Sequence, residues 1–214
     1  MNRIQGRILG LLFILTGGLL YAQEGIISYL EGDVSVRRGG ELQWADFGTA
    51  VREGDTVSTG PDSLAILELP GDRVVKLREE TILTLTSTGT RATLDLNRGG
   101  VFAKVRKMAG QDFSVSTPSA VAGVRGTQFF MAYGEDPERQ EDLWLCVNEG
   151  TVAVTIPATR QSVLVDQGEG ISIPDGKFLT QPRAYRWTEN LNWNTDPASG
   201  AVRDSTSMNP ADWK

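Results

Sequence analysis

The side chains that could do chemistry are few, and their types restrict what that chemistry could be. The chain has no histidine among its 214 residues, which removes Ser-His-Asp and Cys-His catalysis and the commonest zinc ligand. Its single cysteine, Cys146, stands in the apolar run Leu143-Trp144-Leu145-Cys146-Val147. That setting favours a small core residue over a reactive thiol, and one cysteine allows no intramolecular disulfide. Carboxylates remain: Glu79-Glu80, and Glu135 and Asp136 within Gly134–Asp142, which carries five acids in nine residues. Paired acids hydrolyse glycosides only when they face each other across a cleft, and an acid-rich run between two strands reads more simply as an exposed hairpin loop. No EF-hand spacing, Walker loop, dinucleotide fingerprint or nucleophile elbow is present. The residues predict no catalytic site, no metal and no cofactor.

The most specific constellation is Thr117-Pro118-Ser119-Ala120-Val121-Ala122-Gly123-Val124-Arg125-Gly126-Thr127-Gln128-Phe129. Gly123 and Gly126 can adopt positive φ or admit close backbone approach, and Thr117 before Pro118 is biased to an extended conformation. The pattern predicts a strand, a tight corner and a second strand carrying Thr127, Phe129 and Met131 on one face. Arg125 falls at the corner, where a buried or half-buried guanidinium would satisfy carbonyls or a carboxylate; ligand recognition through its fork of donors is the alternative. The spacing Gly123-x-x-Gly126 matches the backbone clamp of KH domains, but that loop joins helices and serves basic proteins.

The elements that must position these residues read as strands. From Gly25 to Ile173 short β-rich runs alternate with glycine, aspartate and proline breaks: Ile27–Leu30, Val34–Arg37, Thr56–Ser58, Leu64–Leu69, Val74–Leu77, Ile82–Thr86, Ala92–Leu96, Val101–Val105, Phe113–Ser116, Gln128–Tyr133, Leu143–Val147, Val152–Ile156, Ser162–Val165 and Ile171–Ile173. This spacing predicts an all-β sandwich or roll, or a short β-helix-like stack. A polar-Gly step precedes several runs, at Gly54, Gly99, Gly150 and Gly168, too irregularly for a repeat protein. Lys104, Arg106 and Lys107 read as a solvated strand edge. After Pro182 a short amphipathic helix near Tyr185–Leu191 is expected, followed by a frayed tail. Trp187, Trp193 and Trp213 either anchor this segment to its own domain or form a stacking surface for sugars or partners.

Arg3 and Arg7, the apolar run Ile8–Leu20 and Ala22 describe a secretory signal peptide cut after Ala22. The run is shorter than the ~20 residues of a spanning helix, although an uncleaved anchor is the competing reading. The expected organisation is a signal peptide over 1–22, an all-β domain over 23–180 and a C-terminal tail over 181–214, with a periplasmic or secreted location and no membrane span after cleavage. Cleavage moves the net charge from −6 to −8, because it removes two arginines and no acid. Nucleic acid and anionic lipid are poor partners for such a chain.

The Thr-Pro strand end followed by Val-x-Gly-Val-Arg-Gly-Thr-x-Phe resembles the signature of the FecR domain family, in the residues Thr117, Pro118, Gly123, Arg125, Gly126, Thr127 and Phe129. Weaker likenesses are Glu31-Gly32-Asp33-Val34, Gly54–Gly60, Ala65–Leu69 and Leu94–Gly99, so the resemblance covers roughly Gly25 to Ile173. It implies a periplasmic module of envelope signalling. FecR-type regulators carry a cytoplasmic sigma-factor-binding segment, one membrane span, the FecR domain and a further C-terminal subdomain. Here only Met1–Arg7 precede the apolar run and about 40 residues follow Ile173, so a stand-alone exported FecR domain is expected. The resemblance implies a non-catalytic module that binds an envelope protein. An envelope glycan or peptidoglycan is the alternative ligand, favoured if the tryptophans share an exposed face and disfavoured if Trp44, Trp144, Trp187 and Trp193 are buried.

Overall fold

The computed structural model describes residues 24–134 and 142–206. The expected signal peptide, Glu135, Asp136 and Trp213 lie outside the described residues. Sixteen strands follow in order: β1 (Gly25–Glu31), β2 (Val34–Arg38), β3 (Glu41–Trp44), β4 (Ala50–Val51), β5 (Thr56–Thr59), β6 (Leu64–Leu69), β7 (Arg73–Leu77), β8 (Ile82–Ser87), β9 (Arg91–Val105), β10 (Asp112–Ser116), β11 (Val121–Val124), β12 (Thr127–Tyr133), β13 (Leu143–Glu149), β14 (Thr151–Ile156), β15 (Gln161–Asp166) and β16 (Gly170–Ile173).

They form a two-layer β-sandwich, so the all-β expectation holds. The first sheet runs β4-β1-β6-β7-β9-β12-β13-β16 and is antiparallel throughout. The second runs β3-β2-β5-β8-β9-β10-β11-β14-β15, antiparallel except for the parallel pair β9–β10. Alternation explains the layers: Val152, Val154 and Ile156 of β14 and Phe113 and Val115 of β10 point into the shared core, while Thr151, Ala153 and Thr155 point out. The outer face of the second sheet is a ladder of small polar pairs such as Thr56–Thr84, Thr93–Ser114 and Thr86–Asp95, the cross-strand contacts that stabilise a sheet.

Strand β9 belongs to both sheets. Its first half pairs with β8 and β10, its second with β7 and β12. The runs Ala92–Leu96 and Val101–Val105, expected as separate strands, are therefore one, because Gly99 bends the chain without breaking it. Gly99 has φ +94°, and a Cβ there would stand 2.5 Å from Thr81 Cα, so only glycine fits. The steps at Gly54, Gly99, Gly150 and Gly168 all mark places where the chain passes between the sheets. Lys104 sits in β9, which is paired on both sides, so the basic cluster begins on the outer face of a central strand and not on an edge as expected.

The C-terminal segment also differs from expectation. Arg186–Asn190 is a single 3-10 turn in place of an amphipathic helix, and the chain to Thr206 is packed, not frayed. Tyr185, Trp187 and Leu191 cover Phe102, Phe130, Ala132 and Cys146 on the outer face of the first sheet, with Trp144 and Trp193 at the rim. The rings meet edge-on, Phe102–Trp193 at 5.4 Å and Phe130–Trp187 at 6.1 Å, a favoured aromatic arrangement. Three of the tryptophans thus anchor the segment to its own domain.

Lys76 locks this strap down. It is 1% exposed, and its Nζ donates to the carbonyls of Asn192, Asn194 and Val202 at 2.6, 2.9 and 2.9 Å while lying 4.1 Å from the Phe102 ring centre. Nearby, Arg203 pairs with Glu31 at 2.7 Å and Arg78 donates to Thr206 O at 3.0 Å. Burial lowers the Lys76 pKa to about 8, with Asp204 opposing the shift and Arg78 adding to it. Between that value and the ordinary 10.5 the unfolded chain binds the extra proton, so stability rises with pH across this window. The expected gain from pH 8 to 10.5 is on the order of 3 kcal/mol, read as the difference in urea-unfolding free energy between wild type and Lys76→Met. Equal pH slopes for the two proteins would show that Lys76 is not the titrating group.

Candidate protein-interaction site

The signature stretch folds as a hairpin and a corner. Strands β10 and β11 pair antiparallel through Thr117-Pro118-Ser119-Ala120. Thr117 Oγ1 accepts from the amides of Ser119 and Ala120 at 3.3 and 3.1 Å, and Thr117 N donates to Ala120 O at 2.8 Å, so the threonine side chain and backbone close the turn that Pro118 opens. Arg125-Gly126 then carries the chain into β12 and the other sheet. Thr127, Phe129 and Met131 are buried and share the core-facing side, as the alternation requires.

Two of the glycine and arginine expectations are corrected. Gly123 has an ordinary strand backbone inside β11, paired with Ser114 and Ala153, and is not at the corner. Gly126 alone needs its freedom: φ is +68°, and a Cβ would stand 2.5 Å from Lys107 Cβ. Arg125 is 71% exposed instead of buried, and its guanidinium holds Asp112 Oδ1 at 2.7 and 3.0 Å. An exposed pair of this kind contributes below about 1 kcal/mol.

The chemistry-bearing side chains do not converge. Glu79 accepts from Asp62 N at 2.9 Å, and Glu80 stands 3.9 Å from Arg98. Burial pushes the Cys146 thiol well above its ordinary pKa, leaving it protonated beneath the strap. Among the described residues no group of three or more His, Cys, Asp or Glu side chains is arranged to hold a metal, and no helix is long and apolar enough to cross a membrane. A groove of about 990 Å³ opens between the strap tip at Thr195–Pro197 and the first sheet. Its lining mixes both signs of charge, Lys104 and Lys107 with Glu68 and Glu149.

The surface feature that does converge is the β3 edge. Strand β3 pairs only with β2 among the described residues, and all four of its residues are exposed. Leu42 and Trp44 lie on one face, opposite Arg37 and Ser35 of β2, and are 49% and 70% exposed, with Phe47 at 80% just beyond. Trp44 is thus the one tryptophan of the expected four that stays open. The other edges are less available. Strand β4 has two residues, and β16 is flanked by the Gly170–Arg183 bridge and by Thr180, which donates its amide to Ser172 O. On strand β15 Leu164 shares its exposed face with Ser162 and Asp166. Neither Leu42 nor Phe47 was singled out by the sequence reading; the signal available was Gly39-Gly40, a two-residue hairpin turn followed by Glu41-Leu42-Gln43-Trp44.

The comparisons with known proteins agree with this architecture. The sequence model of the family described as FecR protein matches residues 55–153, a span that includes the whole Thr117–Phe129 stretch, so the resemblance expected from that stretch holds. Two solved structures of a protein from Parabacteroides distasonis, described as a "putative anti-sigma factor", each superpose with a TM-score of 0.52 at 24% identity, covering 60% of this chain and 59% of theirs. At that identity the likeness is one of fold. No curated protein matches the chain.

The two signature glycines separate experimentally. Gly126→Ala is expected to cost on the order of 3 kcal/mol from left-handed backbone strain and the Lys107 clash. Gly123→Ala, whose Cβ would meet only Ala153 O at 3.9 Å, is expected to stay within about 0.5 kcal/mol. Urea unfolding of both variants gives the comparison, and equal losses would refute the assignment of the corner to Gly126.

Proposed function

We propose that this protein is an exported, non-catalytic module of envelope signalling that engages an envelope protein by strand addition at the β3 edge. The observation that carries the reading is the coincidence there of an unpaired strand edge with Leu42, Trp44 and Phe47 exposed beside it. Strand addition uses main-chain hydrogen bonds for affinity and alternate side chains for specificity, and apolar residues clustered at an open edge are a liability unless something covers them. The FecR domain and the fold shared with the anti-sigma-factor-like protein support a place in signalling. Export rests on the leader-like residues 1–22, and the mature protein acts in the periplasm or beyond it.

Trp44 and Phe47 also favour a second reading, in which exposed rings stack on an envelope glycan. Leu42 separates the two. Capture of an envelope protein by the purified protein is expected to fall at least tenfold in Leu42→Lys and to persist in Leu164→Lys on the far edge. Sedimentation with peptidoglycan that is lost in Phe47→Ala but kept in Leu42→Lys would replace the protein-binding reading by the glycan one.

A further inference from the structure

We infer that the β3 edge is self-complementary and that its occupant in the resting protein is a second copy of this chain, paired antiparallel about Gln43. This rests on the reading of β3 as a docking edge and names the partner. Ala45 N donates to Val34 O at 2.9 Å, so Ala45 and, by alternation along the β2–β3 register, Gln43 and Glu41 turn their main-chain groups toward β2. The amides and carbonyls of Leu42 and Trp44 therefore face the open edge.

Closed two-fold pairing of identical edge strands must keep outer-face residues opposite outer-face residues. Centring the pair on Gln43 does this: Leu42 of each copy meets Trp44 of the other as a hydrogen-bonded pair, and Gln43 meets Gln43 as a non-bonded one. The exposed residues then cover one another. Leucine against tryptophan across the strands is a favourable aliphatic–aromatic pair and is made twice.

Charge follows the same register. Asp46 of the second copy falls alongside the Gly39-Gly40 turn, where Arg37 Nη1 rests 3.4 Å from Gly40 O. Arg37 shares the face of Leu42, Asp46 lies two residues past the end of β3, both are exposed, and neither makes an ion pair among the described residues. The two-fold axis supplies each with its opposite, again twice. The same edge cannot serve another protein at the same time, so exchange of the second copy for a partner strand is built into the surface.

The Gln43→Cys variant tests the register directly. A non-bonded antiparallel pair brings Cα atoms to about 4.5 Å, within disulfide reach, and the native Cys146 is buried. Mild oxidation with copper-phenanthroline of the full protein at about 100 µM, a concentration that populates even a micromolar dimer, is expected to convert most Gln43→Cys chains to a covalent dimer. Glu41→Cys should yield at least tenfold less, and Leu42→Lys combined with Gln43→Cys should yield none. A Gln43→Cys protein that stays uncrosslinked, with monomeric mass by light scattering, overturns the self-pairing. If Leu42→Lys still loses the envelope partner in that event, the docking edge stands and only the second copy falls; if Leu42→Lys changes neither readout, both readings fall.

Discussion

Strand β9 is hydrogen-bonded in both sheets, and the rest of the structure is arranged around the bend that allows it. A strand that changes sheet must turn where its backbone nearly touches a neighbour, and Gly99 against Thr81 is that place. Once the bend is set, β7 and β12 are fixed on one half of β9, and β8 and β10 on the other. The signature corner at Gly126 repeats the solution three strands later. There Gly150 closes against it, since a Cβ on Gly150 would stand 2.7 Å from Gly126 O. The signature stretch is thus a crossing device, and its exposed Arg125 trims the outside of the crossing by holding Asp112.

The strap decides which surface is left for function. Lysine carries three ammonium donors, and each finds a strap carbonyl at Asn192, Asn194 or Val202. A buried charge with no carboxylate bonded to it is tolerated because its donors are saturated and an aromatic face lies against it. With the strap in place the aromatic face of the first sheet is closed. Around β9 the outer face of the second sheet is largely a ladder of small polar pairs. Of the apolar side chains that remain open, Leu42, Trp44 and Phe47 gather at β3, with Leu164 and Phe178 exposed elsewhere.

The sequence made legible those parts whose cause is local. Alternation exposed most strands, Leu64–Leu69 to the residue, and the polar-Gly steps marked the sheet crossings, although their meaning appeared only with the pairing. Long-range causes were hidden. Gly99-Gly100 reads locally as a break because nothing nearby says that β9 continues under Thr81. Val74-Val75-Lys76-Leu77 reads as a strand with an outward lysine, and the carbonyls that hold its ammonium lie more than 110 positions away. Strand β3 escaped because its alternation, Glu41-Leu42-Gln43-Trp44, runs for only four residues, and β11 because its glycine suggested a corner. The helix expected at Tyr185–Leu191 shrank to a 3-10 turn where Asn192 and Asn194 bond backbone groups of the strap itself, a competition that asparagine tends to win against helix.

The energetics of the β3 edge fit an exchangeable contact. Covering one large apolar side chain is worth about 1.5–3 kcal/mol, and association itself costs at least several kcal/mol of lost freedom. Leu42 and Trp44 from two copies, with the main-chain bonds of one short strand, therefore leave a modest surplus. An interface of that strength holds at high local concentration and yields to a partner strand with better complementarity. A longer apolar edge would pair irreversibly or aggregate, whereas a polar one would have nothing to conceal. The four-residue length of β3, ended by Gly39-Gly40 on one side and by the crossing to β4 on the other, keeps the edge within that exchangeable range.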